Sequence, residues 1–302
     1  MHTERMVSLS TISAWESLSL FLTSLGLPKS RQKKYYNTKS LLLKPIFARE
    51  ELKISIDLLN LHVVNPSYKG HTVKVLKENN LFLALSKPKR VHSLPLKYSE
   101  QDNILSFVRG REKYSEVLKL NKDSYEKGLL FRLDYETSGV IILAKDEKFY
   151  INYRDSLPRG KFYLAIAKGE TRDDFSYAHC IRYFGKKRSR GRASNEATKN
   201  SHLAGKTLAY NEKKDISLVL IKLQEGMRHQ IRIQLAAEGH PIIGDSLYGE
   251  GGDLRLCLHS FCYQIDHEGD IYDVIDDSLE ELEIIFDING IFKMAHQAFL
   301  SF

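Results

Sequence analysis

The apolar positions of the first 60 residues predict two short helices followed by a strand. Four of them have the i, i+3, i+4, i+7 spacing of one helix face: Leu18, Phe21, Leu22 and Leu25. Gly26 and Pro28 end this helix, and a second helix with a basic face begins at Ser30. Residues 52–58 alternate between apolar and polar side chains, which indicates a strand. We expect a small N-terminal α/β module, which is either a compact RNA-binding unit or an ordinary helical extension with a solvated basic face.

Beyond a turn-rich stretch at residues 65–70, the hydrophobic pattern changes to that of a sheet. Residues 73–76 and 81–85 flank a short polar turn and predict a hairpin. Further apolar runs predict strands at 129–133, 140–144, 162–167, 216–223 and 230–235, although the last run could also begin a helix. One helix is predicted over residues 146–157. Many strands with few helices indicate an α+β fold with a mixed, largely antiparallel central sheet.

Composition narrows the class of protein. The turn-rich stretch divides the 302 residues into a possible small domain at 1–70 and a larger domain at 71–302. Hydrophobic residues make up 42% and charged residues 27%, which excludes a disordered chain. No apolar window reaches the roughly 18 to 20 residues of a membrane span. Three cysteines cannot form a disulfide framework and indicate a reducing, cytoplasmic setting. The net charge of +7 is compatible with a polyanionic partner or with ordinary solubility.

Residues 131–139 form the first segment with candidate chemistry. Asp134 lies between two predicted strands in a tight polar loop, and Gly139 permits a positive φ. Such a loop would hold one carboxylate rigidly at the edge of a sheet, where catalytic groups often sit. Taken alone, the segment is better explained as a hairpin turn that uses these residues for backbone reasons only.

Residues 226–232 form the second segment. Arg228, His229, Gln230 and Arg232 place four polar side chains within five positions. On a strand, alternation would direct Arg228, Gln230 and Arg232 to one face, where they could bind phosphates or orient a carboxylate. An exposed basic strand face is the alternative.

A third segment, residues 186–192, carries the strongest local cluster of positive charge. Its cations are Lys186, Lys187, Arg188, Arg190 and Arg192. They suit a loop that grips an RNA backbone, or a solvated loop without a partner.

Together these segments resemble the RluA-type pseudouridine synthases. The family's Arg-Leu-Asp-x-x-Thr-Ser-Gly sequence is matched at 132–139, its Tyr-x-Ala at 163–165 and its His-Gln-Ile-Arg at 229–232. Three further blocks follow the family's order: Lys87-Pro88, the Gly-x-Pro-Ile-x-Gly-Asp-x-x-Tyr-Gly of 239–249, and Leu258-His259. The resemblance covers roughly residues 71–265. Phe131 and Met227 depart from it, standing where the family has histidine and arginine.

The resemblance implies an isomerase that converts specific uridines of ribosomal or transfer RNA to pseudouridine, with no metal and no cofactor. It assigns Asp134, Tyr163 and Arg232 to catalysis. Arg232 would keep Asp134 charged and aimed, and Tyr163 would stack on the base. RNA contacts are predicted for Arg132, Lys87, Arg228, His229, Gln230, Lys186, Lys187, Arg188, Arg190 and Arg192.

Two other functions stay open at this point. A non-catalytic RNA-binding protein that keeps the synthase fold would account for the departures at Phe131 and Met227. An aspartate-dependent glycosidase acting on free nucleosides would use the carboxylate, although such enzymes typically need two carboxylates. We expect a monomer. The sequence does not identify the target uridine.

Overall fold

The computed structural model describes most of the chain. The described residues are 6–11, 13–24, 27, 29–36, 38–56, 58–59, 65, 67–97, 99–121, 126–155, 160–185, 190–196, 198–223 and 225–302. Within these ranges no helix is both long and apolar enough to cross a membrane.

The N-terminal region forms a small α/β unit with its own apolar core. Its elements are β1 (Met6–Ser10), α1 (Leu18–Ser24), α2 (Lys29–Tyr35), α3 (Lys39–Leu42) and β2 (Glu51–Ser55). Strands β1 and β2 pair antiparallel, and Leu22, Leu27 and Leu58 are fully buried between the elements. The helices predicted near residues 18 and 30 are confirmed. The predicted strand ends three residues early, at Ser55, and β1 was not foreseen. The division at residue 70 stays a prediction.

A ten-stranded sheet forms the body of the larger region. Its strands are β3 (Lys74–Glu78), β4 (Phe82–Lys87), β5 (Ser138–Ala144), β6 (Gly160–Lys168), β7 (Asp174–Phe184), β8 (Arg190–Ser194), β9 (Ser201–Asn211), β10 (Ile216–Leu223), β11 (Leu258–His267) and β12 (Asp270–Ile275). The order is β3-β4-β5-β11-β6-β10-β9-β7-β8, and β12 also pairs with β11. The β5–β11 pair is parallel and the other pairs in this sheet are antiparallel. The predicted α+β fold with a mixed, largely antiparallel sheet is confirmed.

Apolar clusters cover both faces of the sheet. Ile141 and Leu143 of β5 join one cluster, whereas Val140, Ile142 and Ala144 join the other. Burial on both sides explains why β5 reads as a continuous apolar run. The helices around it are α4 (Ile104–Arg109), α5 (Ser115–Lys119), α6 (Glu147–Asp155), α7 (Gln230–Ala237), α8 (Glu280–Phe286) and α9 (Ile291–Phe299).

Two predicted strands are wrong. Leu129 makes only an isolated bridge to Leu143, and residues 130–137 are irregular. Residues 230–235 belong to helix α7, which packs against β7 and β8, so the strand is wrong and the alternative of a helix beginning here is confirmed. This helix is buried at every position from Gln230 to Leu235, so its hydrophobic pattern carries no helical period. The proposed alternation of side chains along a strand is therefore wrong as well.

Candidate active site

The Asp134 loop, residues 131–137, is pinned on both sides of its carboxylate. Ser93 Oγ donates to the carbonyl of Leu133 at 3.0 Å and accepts the Leu133 N–H at 3.1 Å. On the other side, Lys87 Nζ donates to the Tyr135 carbonyl at 3.3 Å. The Thr137 N–H closes a tight turn onto the Asp134 carbonyl at 3.2 Å. These bonds fix the backbone at Asp134, just before β5 begins.

Gly139 sets the direction in which the chain leaves this loop. Its φ is +109°, and an added Cβ would lie 2.2 Å from the backbone oxygen of Ser260 on β11. A side chain at this position would therefore meet both backbone strain and a rigid neighbour. Close approach of β5 to β11 also places Ser138 Oγ 2.9 Å from His259 Nδ1.

Lys87 supports the loop from inside the protein. Its side chain is fully buried, and Nζ also donates to the carbonyls of Pro88 at 2.9 Å and Val91 at 2.7 Å. Burial lowers the pKa of Lys87 to about 7, although the carboxylate of Asp134 opposes the shift. With all three donors taken by protein carbonyls, Lys87 is placed to hold the loop rather than to contact RNA. An RNA contact was predicted for Lys87 because the burial of a lysine is not visible in a local sequence pattern.

Arg232 links Asp134 to a second, fully buried carboxylate. Its Nε and Nη2 atoms donate to the two oxygens of Asp245 at 2.7 and 2.8 Å, a bidentate pair. The remaining Nη1 points to Asp134 Oδ2 at 3.4 Å. The side chains of Arg232 and Asp245 are 6% and 0% exposed, whereas Asp134 is 28% exposed. The guanidinium is thus fixed by the buried Asp245 and presents one donor to the partly exposed carboxylate of Asp134.

His229 also contacts Asp134. It precedes α7 in a left-handed conformation with φ +55°, and its Nε2 lies 3.6 Å from Asp134 Oδ2. Its Nδ1 lies 2.9 Å from the hydroxyl of Tyr248. Burial lowers the pKa of His229, and the charge of Arg232 adds to the shift.

Asp245 and Tyr248 were not predicted as site residues. Both stand in the block at 239–249 that carried part of the family resemblance, so their positions were a usable signal.

Tyr163 lies on β6, beside β11, in register with Ser260. Its side chain is almost fully buried, with 8% exposure. Burial raises its pKa well above the usual value, and the nearby Tyr153 hydroxyl and Asp134 carboxylate raise it further. The hydroxyl therefore stays protonated in the free protein.

The predicted RNA-binding residues are in different environments. Gln230 is buried, accepting from the Met227 N–H and donating to the His202 carbonyl, both at 3.0 Å, so it braces the turn before α7. Arg228 is exposed, and its carbonyl accepts from the Tyr183 hydroxyl at 2.8 Å.

The other predicted contacts lie at the surface or outside the described residues. Arg132 is 67% exposed, with its Nε 3.7 Å from Glu126. Arg190 and Arg192 are exposed on β8, on either side of the buried Gly191. The three remaining cations of this cluster, Lys186, Lys187 and Arg188, lie outside the described residues.

Phe131 keeps an aromatic position in the site. Its ring stacks on Tyr263 with centroids 4.2 Å apart and planes inclined by 4°. The hydroxyl groups of Tyr263 and Tyr153 form a hydrogen bond of 2.5 Å. Phe131 thus packs the loop against β11 without a hydrogen-bonding ring.

Comparison with known proteins agrees with this geometry. A family model described as RNA pseudouridylate synthase matches residues 81–237, just over half of the chain. An uncharacterised RNA pseudouridine synthase of Bacillus subtilis is 29% identical over 247 residues, covering 79% of this chain and 78% of the relative. The ribosomal large subunit pseudouridine synthase D of Borreliella burgdorferi is 28% identical over 240 residues, covering 74% and 71%.

A solved structure shares the fold. Human RNA pseudouridylate synthase domain containing 1 superposes with a TM-score of 0.53 at 20% identity, covering 72% of this chain and 95% of the human one. From the family match and these relatives, the chain belongs to the RNA pseudouridine synthase family, whose members are isomerases that act on RNA.

Proposed function

We propose that this enzyme converts uridine to pseudouridine in ribosomal or transfer RNA and that Asp134 is its catalytic group. The observation that carries the proposal is the convergence of a buried, bidentate Arg232–Asp245 pair on the one partly exposed carboxylate of the site. Such an arrangement positions a carboxylate without covering it. A hairpin used only for backbone reasons would not need the buried arginine.

The reaction breaks the bond between ribose and uracil N1, turns the base and joins C5 to the ribose, after which C5 loses its proton. Asp134 either attacks the ribose or removes a ribose proton, and its fixed loop serves both roles. Tyr163, which is near enough to Asp134 for the carboxylate to raise its pKa, is proposed to stack on the detached base. A uridine within a stem must first be flipped out, which costs a few kcal/mol.

Ribosomal RNA is supported by the name of the Borreliella burgdorferi relative, and transfer RNA remains the second candidate. The exposed Arg132, Arg190, Arg192 and Arg228 are proposed to contact the RNA backbone. The non-catalytic alternative rested on Phe131 and Met227. The intact Asp134–Arg232–Asp245 geometry argues against it.

The test uses two pools of unmodified transcripts, ribosomal and transfer RNA, each labelled with tritium at uracil C5. Pseudouridine formation releases the tritium to water. We expect release from one pool with the wild type and none with Asp134→Asn. No release from either pool would overturn the proposed substrates, and release that survives Asp134→Asn would overturn the assignment of Asp134.

A further inference from the structure

The two contacts of Asp134 both fall on the same oxygen. Arg232 Nη1 and His229 Nε2 approach Oδ2 at 3.4 and 3.6 Å, and no described residue is a hydrogen-bond or ion-pair partner of Oδ1. A carboxylate held at one oxygen has the other available. The geometry therefore distinguishes an anchored oxygen from a reacting one.

The hydrogen bonds of Tyr248 determine which nitrogen of His229 carries the proton. The backbone N–H of Gly191, on β8, donates to the Tyr248 hydroxyl oxygen at 3.1 Å. Burial raises the pKa of Tyr248, so the hydroxyl keeps its hydrogen and can donate it onward. The acceptor in reach is His229 Nδ1 at 2.9 Å. A ring that accepts at Nδ1 and is neutral must carry its hydrogen on Nε2.

The surroundings of His229 favour the neutral ring. The groups that face it are the carboxylates of Asp134 and Asp245 and the cations of Arg228 and Arg232, together with the Tyr248 hydroxyl. Burial and the two arginines disfavour a proton on the ring more than the carboxylates favour one, so the pKa of His229 is lowered. The hydrogen is then on Nε2, the ring nitrogen that lies 3.6 Å from Asp134 Oδ2. A separation of 3.6 Å in the free enzyme can shorten when substrate closes the site.

We propose that His229 is a neutral positioning residue for Asp134, with its tautomer set by Tyr248, and that Asp134 reacts through Oδ1. This inference rests on the proposed catalytic role of Asp134. Together with Arg232, the imidazole holds Oδ2 and turns Oδ1 toward the ribose. Arg190 and Arg192 flank Gly191 on β8. The strand that carries these cations therefore also holds the first member of the chain of contacts from Gly191 through Tyr248 and His229 to Asp134.

Two substitutions at His229 separate positioning from mere packing. The amide of Gln reaches about as far as Nε2, so His229→Gln keeps a donor for Asp134. The shorter amide of Asn occupies the place of Nδ1, so His229→Asn keeps a partner for Tyr248 but loses that donor. Asn also tolerates the left-handed backbone well. We expect His229→Asn to lower kcat about tenfold to a hundredfold with little change in KM, and His229→Gln to lower it less.

Tyr248→Phe tests the tautomer. In this variant the Tyr248 hydroxyl no longer donates to an unprotonated Nδ1, so the pKa of His229 should rise. The acid limb of the kcat/KM profile should then move to higher pH. Nitrogen NMR of labelled histidine should show the Nε2–H tautomer in the wild type and a mixture in Tyr248→Phe. Tyr210→Phe is the control, because the Tyr210 hydroxyl bonds Asp215 at 2.8 Å in the turn between β9 and β10. It should leave kcat and the pH profile unchanged.

The assays use the intact enzyme and the tritiated transcript pool that the wild type converts. Equal losses in His229→Asn and His229→Gln, or an unshifted acid limb in Tyr248→Phe, would overturn the inference. If Asp134→Asn is inactive while these variants match the wild type, only the inference fails. If Asp134→Asn is active, the proposed function of Asp134 fails first.

Discussion

Replacement of Asp245 by Asn should damage both stability and catalysis. Asp245 is fully buried, and its Oδ1 accepts from Arg232 Nη2 and from the N–H groups of Leu247 and Tyr248 at 2.9 and 3.1 Å. In Asp245→Asn the amide oxygen must keep that position, because three donors point at it. The new NH2 group then faces Arg232 Nε, a donor against a donor. The guanidinium also loses its buried counter-charge.

The expected cost is about 3 kcal/mol or more in the free energy of unfolding, the range for a buried pair broken on one side. Asp277→Asn is the matched control. Its carboxylate bonds Lys74 at 2.7 Å, but both side chains are more than half exposed, so the loss should stay below about 1 kcal/mol. Both are measured by urea unfolding followed by circular dichroism. Equal losses in the two variants would refute the reasoning.

The pH dependence of stability is a second test of the Arg232–Asp245 pair. Burial raises the pKa of Asp245, but the Arg232 hydrogen bond and charge and two backbone N–H groups lower it below the usual value overall. A carboxyl with a lowered folded pKa stabilises the protein above its unfolded pKa, near 3.9, and loses that contribution as the pH falls further. Asp245→Asn should lack this part of the acid destabilisation. In the same variant kcat should fall, because Arg232 is no longer fixed toward Asp134.

Three further changes probe other parts of the site. Gly139→Ala should lower the free energy of unfolding by at least about 2 kcal/mol more than Gly252→Ala. Both glycines have φ above +100°, but only at Gly139 would the added Cβ collide with the β11 backbone. Equal losses in urea unfolding would contradict this. The double variant Arg190→Gln/Arg192→Gln should reduce the slope of log binding constant against log salt concentration by about 0.7 to 0.9 for each phosphate that is no longer neutralised. An unchanged slope in filter binding would show that these residues do not contact the RNA backbone. Lys87→Met should lower kcat but leave RNA affinity unchanged. Folding lowers the Lys87 pKa from about 10.4 to about 7, so the stability of the wild type should rise between about pH 7 and 10. The Lys87→Met variant should lack this rise. A loss of affinity instead of kcat would restore Lys87 as an RNA contact.

Local pattern predicted five of the ten strands of the sheet, β3, β4, β5, β6 and β10, and the place of the Asp134 loop, but it missed β7, β8, β9, β11 and β12. The predicted strands, such as β5 and β10, are largely apolar, and turn residues mark their ends. The hairpin of β3 and β4 and the helix beginning after Asp146 followed from equally local signals. Pattern could not separate helix from strand at residues 230–235, since burial on all sides removes the period that distinguishes them.

Long-range partners decided the rest of the site. Arg232 and Asp245 are 13 residues apart in the sequence, and Arg232 and Asp134 are 98 residues apart. A local sequence pattern therefore cannot show that Arg232 joins the two carboxylates. The burial of Lys87 under three carbonyls is equally a product of the fold. The residue types can be read from the sequence, but tertiary packing determines that Asp134 is partly exposed while Arg232, Asp245 and Lys87 are buried.

The most direct test of the account is a single-turnover reaction of Asp134→Asn with a saturating amount of enzyme over the tritiated transcript. The substitution keeps the size of the side chain and removes its charge, so the buried Arg232–Asp245 pair remains. The account predicts RNA affinity within about twofold of wild type and no pseudouridine. Pseudouridine formed at a rate near that of the wild type would show that another group performs the chemistry.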